Sequence, residues 1–155
     1  MLKLRLPRPD EADVLTELCV RSKASHGYDA AFMAACRDEL TVKLDGPGGR
    51  IAVAEENGFL VGMVQISIEG RTAELDKLFV EPSRFGLGVG RRLFEWAQAE
   101  AAGAGADRMM VDSDPNAAAF YRARGAVEVG SSPSGSIPGR LLPRLCLHLA
   151  KAGRS

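Results

Sequence analysis

Apolar and charged residues alternate at the start of the chain, with Lys3 and Arg5 between Leu2, Leu4 and Leu6, which predicts a strand. The period then changes. Asp10 is placed to cap a helix carrying Val14, Leu15 and Leu18, and Asp29 to cap a second whose apolar set is Phe32, Met33, Cys36 and Leu40. His26-Gly27-Tyr28 lies between these helices, and the second should end before the loop Asp45-Gly46-Pro47-Gly48-Gly49. Strands from Ile51 to Ala54 and from Phe59 to Ile68 flank Asn57-Gly58, a hairpin signal because both residues tolerate positive φ. A third strand, Thr72 to Val80, extends them into an antiparallel meander that stops at Pro82. Val89, Leu93, Trp96 and Ala97 then share one face of a helix that runs out at Gly103 and Gly105. Arg108 to Asp112 reads as a strand and Pro115 to Arg124 as a short helix stopped by Gly125. Ala126 to Val129 and Leu141 to Leu149 read as the closing strands. The order predicts an α/β (α+β) layer: a mixed, mostly antiparallel central sheet of about seven strands flanked by about four helices, rather than a run of parallel βαβ units.

Composition narrows the function classes. The chain has 155 residues, 46% of them hydrophobic, which predicts a single domain spanning 1–155 with a real core. Twenty basic residues balance 20 acidic ones, so there is no global field to hold a nucleic acid or an acidic membrane, and any anionic ligand must be caught locally. Cys19, Cys36 and Cys146 are odd in number and far apart, which argues against a disulfide framework or a metal knuckle and for buried thiols in a reducing compartment. Neither a secretory leader nor a long apolar span is visible, so the expected location is cytoplasmic.

The segment from Leu75 to Trp96 carries the chemistry: a strand runs through a glycine-rich turn straight into an amphipathic helix. Gly86, Gly88 and Gly90 let a ligand approach the backbone closely, and the free N–H groups of the helix start suit a pyrophosphate. A Walker loop is excluded, because Arg91 and Arg92 follow Gly90 where a Lys-Ser/Thr pair is needed. A dinucleotide fingerprint wants a third glycine where Arg91 stands, although Asp112 imitates its ribose-binding acid; a nicotinamide-dinucleotide domain therefore stays as an alternative.

Phe79-Val80-Glu81-Pro82 followed by Gly88-Val89-Gly90 resembles the signature of the GNAT superfamily of acetyl-CoA-dependent N-acetyltransferases, Gln/Arg-x-x-Gly-x-Gly/Ala between a strand ending in Val-x-Pro and a helix. Residues 114–126, DPNAAAFYRARGA, are similar to the family's second motif, with Tyr121 four residues before Gly125. The resemblance implies a GNAT-like fold, acetyl-CoA as acyl donor, and direct transfer to the amine of a small molecule or peptide. It leaves room for a homodimer and for a non-catalytic acyl-CoA sensor of the same fold. It also implies that the backbone of Leu78, Phe79 and Val80 pairs with the pantetheine arm, with a bulge there aiming an N–H at the thioester carbonyl. The phosphates would be met by the amides of Phe85, Gly86, Leu87, Gly88, Val89, Gly90 and Arg91. Phe85 stands in the Gln/Arg slot, so a side-chain contact from that position is lost. Asp114 stands where the family often has Asn, so either it or Asn116 touches the donor, while capping the helix is the simpler task for Asp114.

Three roles follow. A lysine-like amine with a pKa of about 10.4 is almost wholly protonated at neutral pH and needs a proton acceptor. Glu74 and Asp76, two apart on one strand, are candidates for that base, with a water chain as the alternative. By resemblance, Tyr121 hydrogen-bonds the departing sulfur, and His26 and Tyr28, in the interhelix turn, wall the acceptor site. Arg140, before the last strand, could fork onto a substrate carboxylate or simply be solvated. His148 alternates out of phase with Leu145, Leu147 and Leu149, as an exposed strand residue would.

Overall fold

The computed structural model describes residues 1–44 and 49–150. Most of the loop predicted at 45–49 lies outside them. The elements run β1 (Leu2–Arg5), α1 (Ala12–Ala24), α2 (Ala30–Leu40), β2 (Arg50–Glu56), β3 (Phe59–Glu69), β4 (Thr72–Val80), α3 (Val89–Gly103), β5 (Arg108–Asp112), α4 (Ala118–Ala123), β6 (Val127–Pro133) and β7 (Leu141–His148). The seven strands form one sheet in the order β1-β2-β3-β4-β5-β7-β6, in which β4 and β5 are the parallel neighbours and every other pair is antiparallel. This is the mixed, mostly antiparallel layer that the element order predicts. It is not the parallel, doubly wound sheet of a dinucleotide-binding domain.

Period-two alternation divides the core between the two faces of the sheet. Val53 and Met63 face α1 and α2, where they pack with Leu15, Cys19, Cys36 and Leu40. Ala52, Ala54, Val64 and Ile66 face the other way, onto Leu93, Phe94 and Ala97 of α3. The backbones come close where α3 crosses Gly62: a methyl group added there would stand 2.8 Å from Leu93 Cδ1 and 3.0 Å from Val89 Cγ1. The β2–β3 hairpin turns at Asn57 (φ 53°) and Gly58 (φ 83°), the left-handed pair that its sequence demands.

Two helix starts differ from expectation. Asp29 caps α2 as predicted, accepting the Phe32 N–H at 2.8 Å. Asp10 does not cap α1. Residues 9–11 form a 3-10 turn, and Glu11 instead accepts the Arg8 N–H at 2.7 Å while pairing with Arg5 of β1 at 2.8 Å. The short helix does not begin at Pro115 either. Residues 115–117 are a turn, in which Asp114 accepts the Asn116 N–H on its side chain and the Ala117 N–H on its carbonyl, both at 2.8 Å. Asp114 thus closes the turn before α4 rather than capping the helix itself. Strand β6 reaches Pro133, four residues beyond the predicted Val129. On this edge strand, exposed along almost its whole length, the residues beyond Val129 show no apolar alternation to read.

Cys19 and Cys36 are buried as expected, and burial pushes the Cys19 thiol up to about 12, whereas Cys146 is half-buried. No helix among the described residues is long and apolar enough to cross a membrane.

Candidate active site

Strand β4 pairs with β5 from Thr72 to Leu75, and beyond Leu75 the two strands part. Lys77 to Val80 remain paired with β3 on one side, so their alternate main-chain N–H and C=O groups face an open cleft on the other. The cleft has a volume of about 440 Å³. A bulge marks its start: Leu75 pairs with Ile66 and Lys77 with Gln65, so Asp76 is the extra residue. The bulge therefore precedes Leu78, earlier than expected. It also resets the alternation, since Ala73 and Leu75 face α3 before it and Leu78 and Val80 after it.

Above the parting, the chain turns through Gly86 (φ 78°) and Gly88 (φ 88°), and Gly88 is the N-cap of α3. A Cβ at Gly88 would touch nothing, so its backbone conformation, not crowding, selects glycine there. Of the amides expected to be free, those of Phe85 and Leu87 are taken by the carbonyls of Pro82 (3.2 Å) and Arg84 (3.3 Å). Those of Gly86, Gly88, Val89, Gly90 and Arg91 make no main-chain bond within the described residues, and the last three belong to the open first turn of α3. This cradle, with its positive dipole end and no acid in the first helical turn, fits a pyrophosphate. Arg84 and Arg91 lean toward Glu56 (2.8 Å) and Glu95 (3.6 Å). Phe85 stacks on His26 with centroids 6.5 Å apart, bridging the end of α1 and the glycine turn across one rim of the cleft.

The opposite wall is built around Asp114. Its carboxylate accepts hydrogen bonds from Lys23 Nζ (2.8 Å), the Tyr28 hydroxyl (2.9 Å), the Asn116 N–H (2.8 Å) and the Asn116 side-chain amide (2.9 Å). Burial alone would raise its pKa, but these donors and the Lys23 charge outweigh burial and hold the carboxyl well below the usual range. Arg140 donates to the Tyr28 hydroxyl at 2.9 Å and lies beside the stacked rings of Tyr28 and Phe32, whose centroids are 3.9 Å apart. Arg140 is thus a wall residue of the cleft, not a solvated loop residue. Asn116 is held by Asp114 and Tyr28, and His26 sits exposed at the rim.

Tyr121 lines the cleft from α4, wedged edge-on against Phe94 and Phe120. Its hydroxyl makes none of the hydrogen bonds in the described residues. Burial, with a smaller contribution from the Asp114 charge, pushes its pKa up. The two candidate acids separate. Asp76 lines the cleft, takes a hydrogen bond from Ser67 at 3.3 Å, and has its pKa raised, chiefly because the surrounding protein strips water from it. Glu74 does not line the cleft; Arg144 holds it at 2.9 Å and also holds Asp112 at 2.7 Å. Sequence reasoning missed Lys23, Phe32 and Arg144. Lys23 and Arg144 sit in no motif, and Phe32 reads as one more apolar position of α2.

The model of the acetyltransferase (GNAT) family matches residues 16–126, from α1 through the glycine turn and α4, and the chain belongs to that family. A curated relative, the IAA acetyltransferase of Azospirillum brasilense, is 35% identical over 89 residues, 54% of this chain and 58% of that protein. The chain thus spans somewhat over half the length of the curated relative it matches. A GCN5-related N-acetyltransferase from Rhodopseudomonas palustris is 26% identical with a TM-score of 0.78, covering 95% of both chains. The PaiA N-acetyltransferase of Thermoplasma acidophilum, solved with coenzyme A, shares the fold at 15% identity and a TM-score of 0.76, covering 96% of this chain and 99% of that one.

Proposed function

We propose that the protein moves an acetyl group from acetyl-CoA to the amine of a small molecule or peptide by direct attack. The observation that carries this reading is the parting of β4 from β5 directly below the glycine cradle. An extended arm can lie along the free edge of Lys77–Val80 as a missing strand while its diphosphate meets the amides of 86 and 88–91. Acetyl-CoA, as donor, supplies the activated acetyl thioester. The chain supplies the rest. The backbone at the Asp76 bulge offers N–H donors where negative charge develops on the carbonyl oxygen. Asp76, open to the cleft and with a raised pKa, takes the proton of the incoming amine, directly or through water. Glu74, held by Arg144 on the flank, adds to the effect of burial a negative charge that helps keep the Asp76 pKa raised. Tyr121 stays protonated and points its hydroxyl at the charge that builds on sulfur. His26 and Tyr28 wall the acceptor half, and Asn116 braces the wall.

The test is calorimetric titration with acetyl-CoA, followed by thiol release against a panel of amines. Gly88→Glu puts a carboxylate at the N-cap, in a left-handed conformation that a side chain resists, and should abolish acetyl-CoA binding in a folded protein. Unchanged affinity in that variant removes the reading. Tight binding without amine-dependent thiol release would turn it into that of an acyl-CoA sensor.

A further inference from the structure

We infer that the acceptor carries a carboxylate beside its amine, in the manner of a free amino acid, and that Arg140 holds that carboxylate; the inference rests on the acetyl-transfer reading above. It comes from a count of donors and acceptors in the wall around Asp114. Two cations, Lys23 and Arg140, meet one carboxylate there, and all three side chains are largely buried, with 14%, 19% and 15% of their surface exposed. An ionised carboxylate offers about four acceptor sites. Lys23, the Tyr28 hydroxyl and both nitrogens of Asn116 occupy those of Asp114.

The Tyr28 hydroxyl is saturated as well. It donates to Asp114 and accepts from Asn116 Nδ2 at 3.0 Å and Arg140 Nη2 at 2.9 Å. Arg140 spends one donor on that hydroxyl and stands 4.0 Å from Asp114, too far for a hydrogen bond. Its other guanidinium donors have no partner among the described residues, and Glu39, which also lines the cleft, makes no ion pair among them. A largely buried guanidinium with spare donors is strongly selective for a planar anion. Its plane is already fixed by the Tyr28 and Phe32 rings, 5.2 and 4.8 Å from its central carbon, so little freedom is lost on binding. Asp76 lines the same 440 Å³ cleft. The cavity therefore presents a proton-accepting pole and a carboxylate-accepting pole, which matches a zwitterion.

The experiment is calorimetric titration of the protein, with and without coenzyme A, using the free amino acids and the carboxamide of each one that binds. At least one amino acid should bind roughly 10- to 100-fold more tightly than its carboxamide. That ratio should collapse in Arg140→Gln, which keeps a donor for the Tyr28 hydroxyl, and return in part in Arg140→Lys, which restores charge without the fork. Thermal melting reports whether both variants are folded. Equal binding of acids and carboxamides, no binding by any amino acid, or an unchanged ratio in a folded Arg140→Gln overturns the inference. Acetyl-CoA affinity and amine-dependent thiol release, measured separately, report on the acetyl-transfer reading, so the two can fail independently.

Discussion

A buried phenol with no hydrogen-bond partner among the described residues and a raised pKa holds its proton across the neutral range, which suits Tyr121 to stabilise charge rather than to bind substrate. Tyr121→Phe keeps the ring against Phe94 and Phe120, so the fold should persist. The expected outcome is a fall in kcat and in kcat/KM together by about 10²-fold, with acetyl-CoA affinity unchanged. Wild-type kcat where chemistry limits turnover would give the sulfur to another donor. The acids are told apart by pH. Because the Asp76 pKa is raised, its basic form is gained as pH climbs through that raised value and lost below it. Asp76→Asn should therefore cost most near neutrality and progressively less toward about pH 10, where the amine is free without help. Glu74→Gln should cost far less, since Glu74 faces Arg144 and not the cleft. Rate profiles of both variants decide, and a larger loss in Glu74→Gln would return the base role to Glu74.

Where an element starts depends on partners distant in sequence, and the first helix shows it. Asp10 has the right spacing for a cap, yet no side chain caps α1; Glu11, at the N-cap position, turns its carboxylate back to the Arg8 N–H and to Arg5 of β1, which also holds Glu55 of β2 at 3.0 Å. Nothing within the helix signals that clasp. Its pH signature is definite: hydrogen bonding to Arg5, against opposing burial, lowers the Glu11 pKa from 4.5 to about 2. A depressed pKa contributes stability in full above about 4.5, lost as pH falls toward about 2. In urea unfolding, Glu11→Gln should be less stable than wild type at neutral pH, with the gap closing on acidification through that window. A constant gap would assign the loss to packing. Local patterns otherwise served well. Strands β4 and β5 fall on their predicted bounds, since apolar alternation and the flanking turn residues define them. The glycine turn and Tyr121 were legible because each carries a motif. The bulge at Asp76 was placed too late because it is a mismatch between two strands, visible only in their register. The Asp114 wall was hardest to read, since its members come from α1, the α1–α2 turn, the β5–α4 turn and the segment before β7.

For the whole molecule, the decisive feature is how the sheet is joined. Strands β1–β4 form one antiparallel block, and β5, β7 and β6 form another. Their border within the sheet is four parallel register pairs, Thr72–Leu75 against Arg108–Val111, and beyond them the cleft opens. A molecule lying in that cleft adds rungs to the border. Amide hydrogen exchange should therefore slow on β4 and β5 when acetyl-CoA is added, more than on the β1–β2 ladder at the far edge. Uniform slowing, or none, would show that the two halves do not open independently. If they do, the sheet behaves as a book whose spine is one short ladder. The cleft proposed for the donor then governs how often the two covers swing apart, so saturation with donor should protect the chain against proteolysis as well as prepare it for chemistry.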